Sequence, residues 1–360
     1  MAQLRRSAAR HAVDLATRYM GLPLKNPLIA SASPLTGDLG RIRRLEDAGA
    51  AAVVLPSIFE EQIDQEVRDY AGLAEAALDN FPEVPPVFPE PALYKLDPHQ
   101  YLELIRRAVE AVDIPIIASL NGVTRQGWID YAHLIERAGA AAIELNIYFI
   151  PADLEKTGRQ VEQECVEILR AVQAAVGIPI AIKLSPYFSA LGGMVLELAQ
   201  AGADAFVLFN RLYQPNIDLT RLRFCGDLRL SEPSEIRLPL LWIGLLAGRV
   251  NASLAASTGV ESVNEVVKYL LAGADAVMTT SSLLRHGISH LRVLLDDLRG
   301  WCAEREYDAL GRFRGIMSRR KLQAPEGFER ANYIRILQGY SASGGRARLP
   351  RAGSAARPVK

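Results

Sequence analysis

Four segments of the chain repeat one short device: EDAGAAAVVL (46–55), ERAGAAAIEL (136–145), AQAGADAFVL (199–208) and LLAGADAVMT (270–279). Each closes a helical pattern with a small residue and a glycine, then enters an apolar run that reads as a strand. Glycine just past a helix end adopts the left-handed conformation without a Cβ clash, so it stops the helix without strain. The small residues beside it let the helix lie close on the strand that follows.

Interleaved with these are four other strand candidates, NPLIASAS (26–33), IPIIASLNG (114–122), IPIAIKLSP (178–186) and VNASLAASTG (250–259). Helical patterns such as YLELIRRAVEAV (101–112) and CVEILRAVQAAV (165–176) fill the gaps. Eight strands alternating with helices, with an internal period of two strands, predict an α/β fold of the (β/α)8 TIM barrel type. A doubly wound open sheet is the alternative, and it fits so regular a repeat less well.

A barrel of ~250 residues is one domain, so the remaining length belongs to insertions and tails. Two insertions stand out: one after strand 2 (57–113, with FPEVPPVFPEP) and one after strand 6 (210–249, with NRLYQPNIDL). Both follow C-terminal strand ends, where barrel enzymes carry lids and binding loops. The expected organisation is a flexible basic N-terminus (1–13), the barrel (14–315), a helical extension (316–340) and a disordered tail (341–360) rich in Gly, Pro, Ser and Arg. Arg5, Arg6, Arg10 and Arg18 suit a frayed basic start or a transit-type leader.

With 41 basic and 41 acidic residues the chain has no net charge, which argues against nucleic acid as its main partner. No stretch of ~18 uninterrupted apolar residues predicts a membrane span. Cys165, Cys225 and Cys302 are widely spaced with no CxxC pair. That excludes a four-cysteine zinc or iron-sulfur site made by this chain alone and fits a reducing, cytoplasmic setting. His286 and His290 are four apart, but without a third ligand they read as a solvated helix face. The acidic run FEEQIDQE (59–66) reads the same way.

The C-terminal strand ends form one ring: Ala32 and Ser33, Ser57, Asn121, Asn146, Lys183, Asn210, Ser257 to Gly259, and Thr280 with Ser281. Three amides offer donors and acceptors together, which suits a heterocycle with alternating N–H and C=O groups. Lys183 ends the apolar run IPIAIK and should point into the barrel mouth. There it would stabilise a developing anion or form a Schiff base with a small-molecule carbonyl substrate. A buried lysine needs a counter-charge, and Glu144 on the neighbouring strand can supply it. Ser257, Thr258, Gly259, Thr280 and Ser281 bring hydroxyls and a glycine to the place where barrels often bind phosphate, although serine and threonine also serve as ordinary helix caps.

Over roughly residues 14–315 the sequence resembles the dihydroorotate dehydrogenase family of FMN-containing barrels, with a class 1-like pattern. The matching pieces are DLATRYMGLPLKNPLIASASP (14–34), LN (145–146), KLSPYF (183–188), FN (209–210), STGVES (257–262) and the end of strand 8. The resemblance implies an FMN cofactor, with Lys183 at the N1/O2 edge of the flavin. Ala32 and Ser33 would cover the flavin, and Asn121, Asn146 and Asn210 would bind flavin or substrate. Ser57 joins the cofactor-binding set. Ser257, Thr258, Gly259, Thr280 and Ser281 would hold the FMN phosphate. A homodimer, a role in pyrimidine biosynthesis and a redox partner carrying iron-sulfur or flavin are further implications.

Departures from the family pattern concentrate after strand 4. The family motif there runs Asn, an aliphatic residue, Ser or Gly, a catalytic Cys or Ser, Pro, Asn. Here Asn146 is followed by Ile147, Tyr148, Phe149, Ile150 and Pro151. Phe149 stands at the base position and cannot take a proton. Tyr148 is the candidate substitute, and its ordinary pKa of ~10 would have to fall far. Glu61 stands about where a second family lysine should be, and the Asn-x-x-Gly substrate loop is absent. Three functions fit: a flavin oxidoreductase acting on CH–CH groups, an electron-transfer accessory subunit, and a Schiff-base lyase using Lys183.

Overall fold

The computed structural model describes residues 13–59, 98–121, 125–147, 152–211, 215–225 and 229–321. Eight parallel strands close into a barrel, numbered here in chain order: strand 1 Leu28–Ala30, strand 2 Ala52–Phe59, strand 3 Ile116–Asn121, strand 4 Ala142–Asn146, strand 5 Ile180–Leu184, strand 6 Ala205–Leu208, strand 7 Ser253–Ala256 and strand 8 Ala276–Thr279. Each strand pairs with its neighbours in sequence, and strand 8 returns to strand 1. Each overlaps a stretch expected to be a strand, with strand 2 running four residues past the expected end at 55 and strand 4 one residue past 145. Helices lie between them, as a (β/α)8 TIM barrel requires.

The repeated glycines do the work expected of them. Gly49, Gly139, Gly202 and Gly273 all have positive φ, between +95° and +117°. Two residues later, the backbone amides of Ala51, Ala141, Asp204 and Asp275 donate to Leu28, Ile116, Ile180 and Leu254 on the preceding strand, at 2.7–2.9 Å. In the two Ala-Gly-Ala-Asp copies the carboxylate adds a bond in the reverse direction. Asp204 accepts from the amide of Ile180 and Asp275 from that of Leu254, each at 2.8 Å. The motif therefore stops a helix and sets the register of the next strand in four residues.

The N-terminal end of the barrel is plugged by a hairpin that pairs Thr17–Tyr19 with Leu22–Leu24. Its turn residues Met20 and Gly21 have φ of +52° and +75°, the two-positive pattern that matches the twist of a tight hairpin. Thr17 Oγ1 donates to the carbonyl of Asp275 at 3.0 Å, and the Met20 amide donates to Ser253 Oγ at 3.1 Å. Tyr19 enters the interior, in an apolar cluster with Ala52, Ala142, Ala181, Ala205, Ala255 and Ala276. Six strands supply an alanine to this cluster, and small side chains leave room for the tyrosine ring.

The far end of the described chain closes over the same face. The amides of Gly315, Met317 and Arg319 donate to the carbonyls of Leu270, Leu271 and Gly244, each at 2.9 Å. They thus satisfy orphan carbonyls at the ends of helices Val263–Ala272 and Arg237–Leu246. Residues 316–321, where a helical extension was expected to begin, are turns. The rest of that extension and the tail lie outside the described residues, as do residues 60–97 of the insertion after strand 2. The insertion after strand 6 contains a short hairpin, Asn216–Asp218 with Arg223–Cys225. Among the described residues no helix is long and apolar enough to cross a membrane.

Candidate active site at the barrel mouth

Strand 2 carries a proline at position 56, which has no N–H to give the ladder. Its pairing with strand 3 shifts register between Val54 and Ser57. Beyond this bulge Ser57 lies level with Ser119, and their hydroxyls share a hydrogen bond of 2.7 Å. Asn146 Nδ2 donates to Ser57 Oγ at 3.2 Å, and Asn210 Nδ2 donates to Asn146 Oδ1 at 2.6 Å. A polar belt thus runs from the end of strand 6 over strand 4 to strands 2 and 3. Tyr101, on helix Pro98–Ala111, braces it from outside by accepting from the Ser119 amide and donating to the Ser119 carbonyl.

Lys183 lies beside Asn146 in the strand 4–strand 5 register. Its Nζ donates to Glu144 Oε1 at 3.3 Å, with both residues buried. The predicted ion pair is therefore formed. The second carboxylate oxygen, Oε2, is buried without a hydrogen-bond partner.

Two cavities meet at this lysine. The larger, about 290 Å³, is lined by Ala32, Ser33, Pro56, Ser57, Ile58, Phe59, Tyr101, Asn146, Lys183 and Asn210. The smaller, about 150 Å³, is lined by the ends of strands 1, 7 and 8 together with Phe209, Arg211 and Ser231. Ala32, Lys183 and Asn210 line both. Of the residues singled out from sequence, Ala32, Ser33, Ser57, Asn146, Lys183, Asn210, Ser257, Thr258, Gly259, Thr280 and Ser281 all line one cavity or the other. Asn121 does not line either; it is buried at the end of strand 3, with its Nδ2 unpartnered. Tyr148, Phe149 and Glu61 lie outside the described residues.

Hydrogen bonding sorts the hydroxyls of the smaller cavity. Ser257 Oγ and Thr258 Oγ1 both donate to the Phe209 carbonyl, at 2.7 and 3.3 Å, and Thr280 Oγ1 donates to that of Ser31 at 3.1 Å. Each has spent its one proton and can offer an anion nothing more without rotating. Ser281 differs. Its Oγ accepts from the Ser231 amide and the Ser231 hydroxyl, at 3.0 and 2.9 Å, so its own proton is uncommitted. The Gly259 amide donates to Ser231 Oγ at 3.0 Å.

The turn itself is tightly built. Gly259 has φ +73°, and a Cβ there would stand 2.6 Å from Ile236 Cγ2 and 2.7 Å from the Glu232 carbonyl oxygen. Thr258 has φ +82°, a region that β-branched residues rarely enter. Tyr269 Oη holds it by donating to the Thr258 carbonyl at 2.8 Å.

Behind this turn Arg285 donates to the Ser231 carbonyl at 2.7 Å and pairs with Glu261. Glu261 also bonds His286, and His290 Nε2 lies 2.9 Å from its carbonyl oxygen. Burial raises the Glu261 pKa, but the bonds to His286 and Arg285 outweigh this and hold the carboxyl below its ordinary value. The two histidines thus gather on one acid. Among the described residues no group of three or more His, Cys, Asp or Glu could hold a metal ion.

Ser119, Ser231, Arg211 and Arg285 were not anticipated. Ser119 is an interior serine in an otherwise apolar strand and was legible as such. Ser231 and Arg211 come from the long insertion, which has no periodicity to place them.

No family model matches the chain. It is 29% identical over 199 residues to the catalytic subunit of dihydroorotate dehydrogenase B (NAD(+)) of Anoxybacillus flavithermus, covering 52% of this chain and 63% of that protein. With the same subunit of Thermoplasma volcanium it shares 24% over 326 residues, covering 85% of this chain and 99% of the relative. With the NAD-dependent dihydropyrimidine dehydrogenase subunit PreA of Escherichia coli K12 it shares 23% over 344 residues, 84% of this chain and 76% of that protein. In the Anoxybacillus match the chain spans just under two thirds of the relative's length. By these similarities the chain is a divergent relative of the dihydroorotate dehydrogenase family.

Proposed function

We propose that the chain is an FMN-dependent oxidoreductase that oxidises a CH–CH bond of dihydroorotate or a related reduced pyrimidine. The observation that carries this reading is Lys183, anchored on Glu144 and lining both cavities at once. Joined, cavities of about 290 and 150 Å³ fall within the ~300–1,000 Å³ of ordinary ligand clefts. A molecule with a flat ring and a phosphate fits that division. The larger cavity offers amides, and the smaller offers Ser281, Arg211 and a turn that admits only glycine at position 259.

FMN, when bound, would supply the acceptor for a hydride from the substrate. The protein's part is positional and electrostatic. Lys183 places a fixed positive charge where an anion would develop, with no proton to move. Asn146 and Asn210 each keep one N–H and acceptor capacity beyond the belt, enough to bind alternating N–H and C=O edges. By the family resemblance Phe149 falls at the base position, and Tyr148, next to it in sequence, is the group proposed to take the proton.

The base position also supports a second reading, a flavoprotein subunit that passes electrons to a partner carrying iron-sulfur or flavin. The relatives named above are themselves described as subunits. A homodimer remains part of the proposal. The lyase reading is weakened by Glu144, because a Schiff-base lysine must attack as a neutral amine.

The test is anaerobic mixing of the purified, FMN-loaded chain with dihydroorotate and, separately, with a dihydropyrimidine base. Bleaching of the flavin by either supports the first reading, and the ring that bleaches it separates pyrimidine synthesis from breakdown. Bound flavin with no bleaching by either supports the subunit reading, and failure to bind FMN refutes both. Lys183→Ala should slow reduction by roughly 10²-fold, the usual loss for one preorganised charge stabiliser. Phe149→Cys should create or raise dihydroorotate oxidation.

A further inference from the structure

Among the described residues, Glu144 Oε2 and the Tyr19 hydroxyl are buried without a hydrogen-bond partner, as are Asn121 Nδ2 at the end of strand 3 and Trp128 Nε1. Glu144 is wholly buried, and its other oxygen holds Lys183 at 3.3 Å. Tyr19 comes from the opposite end, on the plug hairpin, and passes between the alanines of six strands. Phenylalanine would fill the same apolar space without an orphan hydroxyl. Burial, then the charge of Glu144, then that of Asp275 push the Tyr19 pKa well above the ordinary tyrosine value, so the hydroxyl stays protonated and can donate. Tyr101, the other phenol that feels the Glu144 charge, is already bonded to Ser119.

Buried polar groups in native proteins almost always have a partner, in protein or in ordered water. A buried water needs two to four polar contacts, and it gathers where protein groups are otherwise unsatisfied. Tyr19 shares its buried cluster with Ala142 and Ala181, and Ala181 is the register partner of Glu144, so a phenol and a carboxylate oxygen that both lack partners lie in one part of the barrel interior.

We propose that Glu144 is the positioning residue of Lys183 and that Tyr19 backs it through a single buried water. A Tyr19–water–Glu144–Lys183 column then links the barrel floor to its mouth. The column keeps the Lys183 side chain aimed at the junction of the two cavities, so the hairpin that plugs one end of the barrel supports the lysine presented at the other. The proposal deepens the reading of Lys183 as the central charge of the site, and its test can be run without flavin.

The test is acetylation of Lys183 by acetic anhydride on the full chain without added FMN, followed by peptide mass spectrometry. Exposed Lys25 and Lys268 serve as internal controls. Glu144→Gln should speed Lys183 acetylation roughly tenfold, because Nζ loses the buried carboxylate that holds it. Glu144→Asp should restore slow labelling. Tyr19→Phe, which removes one oxygen and no volume, should speed it roughly threefold, a smaller loss of support for the carboxylate. Controls should not change.

Labelling of Glu144→Gln at the wild-type rate overturns the positioning role. If that variant does not fold, Tyr19→Phe decides, and a wild-type rate there overturns the column. A high-resolution crystal structure should show a water touching both Tyr19 Oη and Glu144 Oε2; a dry gap refutes it. Repeating the labelling with FMN tests the functional reading separately. Wild-type Lys183 unprotected by FMN, with the variant effects intact, would sink that reading and leave the column standing.

Discussion

Asn210 and Asn146 meet across the barrel mouth, with Asn210 Nδ2 donating to Asn146 Oδ1 at 2.6 Å. The contact joins residues 64 apart in sequence and fixes which way the Asn146 amide faces, because its own Nδ2 must then serve Ser57. Asn146→Leu would strand the Asn210 donor and leave the Ser57 hydroxyl with Ser119 as its remaining partner. We expect a loss of about 1–3 kcal/mol in urea unfolding, the usual penalty for an unsatisfied buried group, with weaker FMN binding by fluorescence titration. Asn146→Asp keeps the acceptor and loses the donor, so its loss should be smaller. Equal stability of Asn146→Leu and wild type would show that the belt does not act as a unit.

Thr258 and Gly259 should respond to mutation with opposite signs. Both have positive φ, where a β-branched residue is strained and glycine is not. Thr258→Gly relieves strain of roughly 1–3 kcal/mol but loses a 3.3 Å hydroxyl bond, so a net gain of about 1 kcal/mol is expected in thermal melts. Gly259→Ala drives a methyl toward Ile236 and the Glu232 carbonyl and should cost roughly 2 kcal/mol or more.

The Glu261 cluster gives a pH dependence of defined sign. Its carboxyl titrates below the ordinary value in the folded protein. The stabilisation it brings is therefore complete above the unfolded carboxylate range and lost as pH falls through the depressed value. At pH 7 Glu261→Gln should melt lower than wild type by an amount worth about 1 kcal/mol or less, since these groups are partly exposed. Once the pH has fallen below the depressed Glu261 value the two curves should converge. A gap that persists in acid would refute the assignment.

Gly315 lies against Gly273, with 3.5 Å from its Cα to where a Cβ on Gly273 would stand, and it has φ +71°. Gly315→Val should peel the 309–321 segment from the helix ends it caps. Three backbone hydrogen bonds, worth roughly 0.5–1.5 kcal/mol each, would be weakened along with the Arg314–Asp275 ion pair. Limited proteolysis should then cut between residues 309 and 321, at sites protected in wild type.

The barrel was legible because its signal is local and repeated. A helix end, a glycine at positive φ and an apolar run occur four times, and each copy reports its own strand without reference to the others. The ring of strand ends followed at once, since alternation in a closed parallel sheet dictates which residues reach the mouth. Lys183 and Glu144 were paired correctly for a general reason: a buried charge needs a partner on an adjacent strand. The plug hairpin was not legible, because Met-Gly is an uncommon pair for a two-residue turn.

Sequence alone thus determined the architecture, the residues brought to the mouth and the lysine at its centre. Tertiary structure decided what each polar atom is free to do. Ser257, Thr258 and Thr280 look equivalent to Ser281 in the sequence, yet the first three give their protons to carbonyls that strands 6 and 1 bring within reach. Ser281 keeps its proton because Ser231, fifty residues away, fills its lone pairs. Periodicity can place a side chain on a face, but its hydrogen bonds depend on competition among atoms that meet only after the barrel closes.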